Sequence, residues 1–197
     1  MTNAAPEPSR ALPPGQKPAA SLKVHHYGPV PRFRPGSWRL TLNGATASGE
    51  EFALDYPTFQ ALPRTVTRAD LHCVTKWSLL DNEWEGVSTR TILDLMPPAP
   101  DVTHVMVWAE YGYSATVRLE DFAAPEALLA THHDGEPLTP ERGFPVRLIV
   151  PHLYAFKGPK WLRQIEYLTH LRRGFWEERG YHAVGDPWRE ERYSYLE

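Results

Sequence analysis

The residues best equipped for chemistry fall together in positions 71–87, LHCVTKWSLLDNEWEGV. Cys73 is the one cysteine among 197 residues, and Trp77 and Trp84 are two of the seven tryptophans. His72, Lys76, Asp81, Glu83 and Glu85 add charges of both signs. A lone cysteine is most often a small buried hydrophobe. Here Arg68, His72 and Lys76 are close in sequence, and nearby positive charge favours a thiolate. A thiolate can act as a nucleophile or as a ligand for a soft metal. A nucleophile needs a base beside it. His72 is badly placed for that, because neighbours on a strand point to opposite faces. Another of the nine histidines would have to serve. A ligand needs only the thiolate and a bed for a cofactor.

A second informative stretch is 142–162, RGFPVRLIVPHLYAFKGPKWL. Residues 145–150 read as a strand with one intruder, Arg147. If Val146, Leu148 and Val150 face the core, Arg147 points the other way with Ile149, and a charge in a β-branched run needs a partner. Lys157, Gly158, Pro159 and Lys160 follow. Pro159 suits the first position of a helix, and Trp161, Ile165 and Leu168 recur at helical spacing. The expectation is a helix whose N-terminus, flanked by lysines, receives an anion, with Gly158 allowing close approach. The plain alternative is a helix start with solvated lysines. The glycine-lysine-serine/threonine order of a P-loop is absent. Residues 23–35, KVHHYGPVPRFRP, form a proline-stiffened loop that could bind an anion or a ring, or simply strap the surface.

The elements that must position these groups follow from pattern. Residues 38–42 alternate as a half-buried strand before the Asn43-Gly44 turn, with 51–54 returning as its partner. A short helix over 56–62 stops at Pro63, and 65–74 is the strand that presents Cys73. Asn82 and Gly86 mark turns. Ser88 caps a helix to about Met96, ended by Pro97-Pro98. Strands at 102–108 and 114–119 flank the Tyr111-Gly112-Tyr113 turn. A helix over 121–131 would place His132-His133-Asp134 at its C-terminus, where cationic histidine is favoured over a metal role. The segment from Gly174 reads as an aromatic, charged arm wrapped over the core.

Composition sets limits. A 22.5 kDa chain suits one domain with a real core. Hydrophobic residues at 42% mark it as globular, and 20 prolines favour strands and loops over a helical bundle. Net charge of -3 and a pI near 6.3 argue against nucleic acid as partner. One cysteine excludes an internal disulfide and multi-cysteine zinc or iron–sulfur sites. No apolar run reaches the ~18 residues of a membrane span. Residues 1–22, rich in Pro, Ala and Ser, are expected as a disordered arm before a domain at 23–197. With no export signal visible, the expected location is cytoplasmic.

HCVTKWS followed by NEWEGV resembles the cysteine segment of the sulfite-oxidase-like molybdopterin-binding oxidoreductases. That family shows cysteine-valine, tryptophan-serine, then tryptophan-x-glycine-valine. The stretch from Arg142 resembles its glycine-x-proline-x-arginine, valine-rich strand, proline and lysine-tryptophan pattern. The resemblance runs from about Val24 to Tyr193. It implies an α+β, β-rich mixed single domain of the sulfite oxidase type, with Cys73 as the molybdenum ligand and catalytic centre. It implies molybdopterin contacts at His26, Tyr27, Cys73, Arg142, Arg147, Lys157, Gly158, Pro159 and Lys160. Arg142 departs from the family, where that position is usually His or Asn. The implied activity is oxygen-atom transfer to or from a small substrate of the sulfite, sulfoxide or N-oxide class. The implied protein is a monomer with an external electron-transfer partner. Trp77, Tyr111 and Tyr113 are candidates for the mouth on sequence proximity. Two rivals stand beside this. One is a non-enzymatic phosphate- or nucleotide-binding domain with a structural Cys73. The other is a cysteine-nucleophile hydrolase.

Overall fold

The computed structural model describes residues 11–197. Two sheets carry the fold. The first contains β1 (Lys17–Pro18), β4 (Thr65–Cys73), β5 (Trp77–Ser88), β8 (Leu128–His133), β9 (Glu136–Pro137) and β10 (Arg147–Ile149). Its spine runs β1-β5-β8-β10, with β4 also on β5 and β9 on β8. The second has the order β3 (Phe52–Asp55), β2 (Arg39–Gly44), β11 (Leu162–Leu168), β6 (His104–Ala109), β7 (Ser114–Arg118). Helices are short: α1 (Tyr56–Gln60), α2 (Thr89–Leu95) and α3 (Leu119–Phe122). Asp55 caps α1 by accepting from Thr58 N at 2.9 Å, and Ser88 caps α2 from Arg90 N at 3.2 Å, satisfying free N–H groups of each first turn.

The main core joins the two sheets. Leu40 and Leu42 of β2, Val105 and Val107 of β6, and Ile165 of β11 meet Val87, Leu129 and Leu148 of the first sheet. Strand alternation then sends Leu71, Trp77, Trp84, Leu128, Ala130 and Ile149 to the far face of the first sheet, where they form a second cluster. Arg147 and Ile149 do face away from the main core, as the sequence pattern requires. The first sheet is therefore buried on both faces, and the functional cavity opens on the second one.

Several expected elements are different. No helix follows Pro159. A single 3-10 turn, Ala155–Lys157, precedes Gly158, and β11 begins at Leu162. The helical spacing of Trp161, Ile165 and Leu168 arises because all three are buried, Trp161 just before the strand and Ile165 and Leu168 on opposite faces of β11. The helix expected over 121–131 ends at Phe122, and Leu128–His133 is the central strand β8. Its Ala- and Leu-rich run favours helix intrinsically, but pairing with β5 and β10 prevails. His132 and His133 therefore lie on a strand, before a turn at Asp134-Gly135. Asn82 and Gly86 are not turns but lie inside β5. Gly86 sits where β5 crosses close to β8, and a Cβ there would run into the carbonyl oxygen of Leu129. Of the arm expected over 1–22, residues 1–10 lie outside the described residues. Lys17 and Pro18 pair in parallel with Trp77 and Ser78, and Leu22 is buried, so residues 17–22 are packed on the fold.

Candidate active site

Cys73 is the last residue of β4, directly opposite Trp77 across a three-residue loop, 74–76. Lys76 closes that loop with φ 70°, the left-handed position that ends a three-residue hairpin loop. Lys76 N donates to Cys73 O at 3.0 Å. The thiol is half-buried, and its sulfur lies 3.1 Å from Thr75 Oγ1. His72 points the other way, buried, with Nδ1 2.8 Å from Ser78 Oγ. Arg68 is engaged with Glu83 at 2.8 Å. These two cations of the sequence argument are thus directed elsewhere. The hydrogen-bond partner of the sulfur is a hydroxyl rather than an imidazole, so the thiol is not paired with a base as the hydrolase reading needs, although His25 and His26 line the same cavity.

The sulfur opens into a cavity of about 480 Å³ shared by Cys73, Arg142, Arg147, Gly158 and Lys160. Arg147 and Lys160 are bridged backbone to backbone in antiparallel fashion, and residues opposite each other in such a pair project on the same side. The Arg147 side chain is 6% exposed. Its Nη1 donates to Arg142 O at 3.2 Å and its guanidinium stacks over Trp84 at 5.4 Å. Its Nε has no partner, and it pairs with no carboxylate among the described residues. Burial pulls its pKa down to about 10. Lys160 donates to His25 O at 2.6 Å and Glu141 O at 2.8 Å. Burial first, then the Arg147 charge, bring its pKa to about 7. Two neighbouring cations that donate to carbonyls, lie over the Trp84 and Trp161 rings and form no ion pair among the described residues make a site suited to an anion. Among those residues the Glu141 carboxylate is the one acidic group acting on Lys160.

His26 and Tyr27 come from the proline-stiffened loop and also line the cavity. His26 lies edge-on to Trp161 at 5.8 Å, with Nδ1 2.9 Å from Gly28 O. His25 stacks on Trp77 at 6.1 Å. Gly158 packs so tightly that a Cβ would meet Leu148 O.

Two expected contacts lie elsewhere. Lys157 is 1% exposed and points away from the cavity. Its Nζ donates to Glu177 at 2.5 Å and to Ala183 O at 2.6 Å, and burial lowers its pKa. It ties the C-terminal segment to the fold. Pro159 is buried beside the cavity and offers its carbonyl to Leu148 N at 2.9 Å. Among the mouth candidates, Trp77 and Tyr113 line the cavity, while Tyr111 lines a neighbouring one of about 270 Å³. Tyr113 donates to Phe156 O at 2.7 Å, and burial drives its pKa strongly upward, so it is a neutral donor. Sequence reasoning missed Trp176 and Tyr181, which also line the cavity. Tyr181 packs on Phe156 and Trp176 at 5.2 Å each. Their signal was only an aromatic tail read as a wrapping arm.

A family model for the oxidoreductase molybdopterin binding domain matches residues 27–176. The chain is 40% identical over 188 residues to an uncharacterised oxidoreductase, YuiH, of Bacillus subtilis, covering 95% of this chain and 94% of that one. It is 29% identical to the catalytic subunit MsrP of the protein-methionine-sulfoxide reductase of Gluconobacter oxydans, covering 79% of this chain but 56% of that one. Among solved structures, the sulfane dehydrogenase SoxCD of Paracoccus pantotrophus shares the fold, with a TM-score of 0.66 at 20% identity over 74% of this chain and 41% of that one. With cysteine turn, cation pair and domain match in agreement, the chain belongs to the sulfite-oxidase-like oxidoreductases, whose domain binds molybdopterin with molybdenum.

Proposed function

We propose that the chain is a molybdenum-cofactor-dependent oxidoreductase that moves one oxygen atom to or from a small substrate, with Cys73 as the protein ligand of the metal. The observation that carries the reading is the cation pair in the Cys73 cavity. Among the described residues Arg147 is buried without an ion-pair partner and keeps an unpartnered Nε, and the hydrogen bonds of Lys160 beside it go only to carbonyls. A phosphate supplies the acceptors these groups lack. The same cavity offers a thiol at Cys73. The residues present therefore fit the cofactor at its phosphate end and its metal end.

In this reading Arg147 and Lys160 hold the phosphate and Arg142 supports Arg147 through its carbonyl. Gly158 is required by close packing on Leu148 rather than by approach of the ligand, and His26 and Tyr27 border the ring. Among the described residues no group of three or more His, Cys, Asp or Glu could hold a metal, so the remaining ligands come with the cofactor. The bound cofactor supplies two-electron redox chemistry and oxygen exchange. The chain positions it, and Trp176, Phe156 and Tyr181 wall the space beside Cys73 against water. Reducing an oxide consumes two electrons and two protons and releases water, so an external electron carrier is part of the proposal. A monomer in the cytoplasm completes it. No helix among the described residues is long and apolar enough to cross a membrane.

The test is metal and pterin analysis of protein made in a molybdenum-replete host, wild type beside Cys73→Ala. The expected result is about one molybdenum per chain in the wild type, with turnover lost in the variant. Absence of both metal and pterin from the wild type would sink the reading and leave a phosphate-binding module.

A further inference from the structure

We infer that Gln16 and Arg192 are positioning residues that aim the Cys73 thiolate into the cavity. The inference rests on the reading of Cys73 as metal ligand. The Cys73 loop is short, and its backbone carbonyls are held from outside. Gln16 Nε2 donates to Cys73 O at 3.0 Å. Arg192 Nη1 donates to Val74 O at 2.6 Å. Lys17 N donates to Lys76 O at 3.1 Å. The ligand residue, the next one and the last loop residue are thus each gripped by a donor from one of the two ends of the chain.

Both side chains are themselves fixed. Gln16 is 9% exposed and its Oε1 accepts from Ser78 Oγ at 3.4 Å, which in turn meets His72 Nδ1 at 2.8 Å. Arg192 is 6% exposed, and its other terminal nitrogen donates to Pro14 O at 3.1 Å. Its guanidinium lies over the Tyr154 ring at 4.9 Å. Arg192 therefore joins the N-terminal segment, the C-terminal segment and the Cys73 loop in one charge-assisted node. Residues 16 and 192 both lie outside the 27–176 span of the family model. The span supplies the thiol and the cations, and the flanking segments fix the direction of the thiol. Groups that orient a metal ligand commonly change affinity or activity by about 10–100-fold when removed, because a small misplacement of a ligand is felt at the reacting centre.

The experiment compares wild type, Gln16→Ala, Arg192→Lys and Cys73→Ala. The holo proteins are read by molybdenum content and by the thiolate-to-molybdenum charge-transfer absorption. The cofactor-free proteins are read by the rate at which iodoacetamide alkylates Cys73. Unfolding midpoints are recorded for all. Gln16→Ala is expected to keep its metal and its fold, shift the charge-transfer band, and alkylate roughly fivefold faster, the loss of one net hydrogen bond. Arg192→Lys keeps a cation in the node and is expected to shift the band less. A wild-type band that disappears in Cys73→Ala yet is unchanged in Gln16→Ala and Arg192→Lys, with equal alkylation rates, overturns this inference and leaves the ligand reading standing. A wild type that carries molybdenum but no such band overturns both.

Discussion

Lys157 and Lys160 are separated by two residues and end as opposites. Both flank Gly158-Pro159, and from sequence both look like phosphate binders. Lys157 is sealed inside the molecule against Glu177, a carboxylate 20 positions further along the chain. Lys160 donates only to carbonyl oxygens and forms no ion pair among the described residues, with Arg147 as a like-charged neighbour and the Glu141 carboxylate offsetting part of that charge from further off. One cation is used up by folding, and the other is left for a ligand. The identity of the cation teaches little, whereas the presence or absence of a carboxylate opposite it decides its role.

That contrast can be broken most forcefully at the ion pair. Removing one partner of a buried pair strands the other charge, at about 3–5 kcal/mol. Lys157→Ala is therefore expected to lower the unfolding free energy by that order in chemical denaturation, with Lys157→Ala/Glu177→Gln recovering part of it. Retention of wild-type stability in the single variant would contradict the structural role.

Arg147→Ala is expected to behave oppositely. It removes a buried cation that pairs with no carboxylate, so the cofactor-free protein should unfold at the wild-type midpoint or above it. Its phosphate affinity should fall by about 10–100-fold, the worth of a charge-assisted hydrogen bond. Calorimetric titration with inorganic phosphate beside a denaturation curve checks both halves.

Lys160 sharpens the comparison through pH. Its folded pKa of about 7 lies below the ordinary lysine value of 10.5. Between these values the unfolded chain binds more protons than the folded one, so stability of the cofactor-free protein gains with rising pH through that window. Phosphate affinity should move the other way, weakening as pH rises through about 7 and the ammonium is lost. Lys160→Met should flatten both profiles. An unchanged phosphate profile in that variant would place the titrating group elsewhere.

The smallest effect is expected at His26, which is exposed and whose recorded hydrogen bond is to its own loop at Gly28. His26→Ala should weaken pterin retention by only a few-fold, within the range of one ordinary hydrogen bond. A loss as large as that of Arg147→Ala would move the centre of the site toward this loop.

The sequence made the presenting strand of Cys73 legible, because 65–74 is extended and its loop is closed by polar residues. It also made Arg147 legible, since an arginine alternating with core residues in β10 has to face something other than the core. The strand after Pro159 was misread as a helix, because Trp161, Ile165 and Leu168 recur at helical spacing while all three are buried, the last two on opposite faces of β11. Gly86 was misread as a turn because a close strand crossing and a turn call for the same residue. Lys157 could not be sorted from Lys160, since its partner Glu177 arrives only when the C-terminal segment packs. Tyr181 and Trp176 enter the cavity by that same packing, and no local pattern announces it.

The most direct test of the cation pair as a cofactor cradle is the pterin content of Arg147→Ala beside wild type, both purified from a molybdenum-replete host. The account predicts about one pterin per chain in the wild type and roughly tenfold less in the variant, with the unfolding midpoint of the cofactor-free protein undiminished. Equal pterin in the two proteins would contradict it.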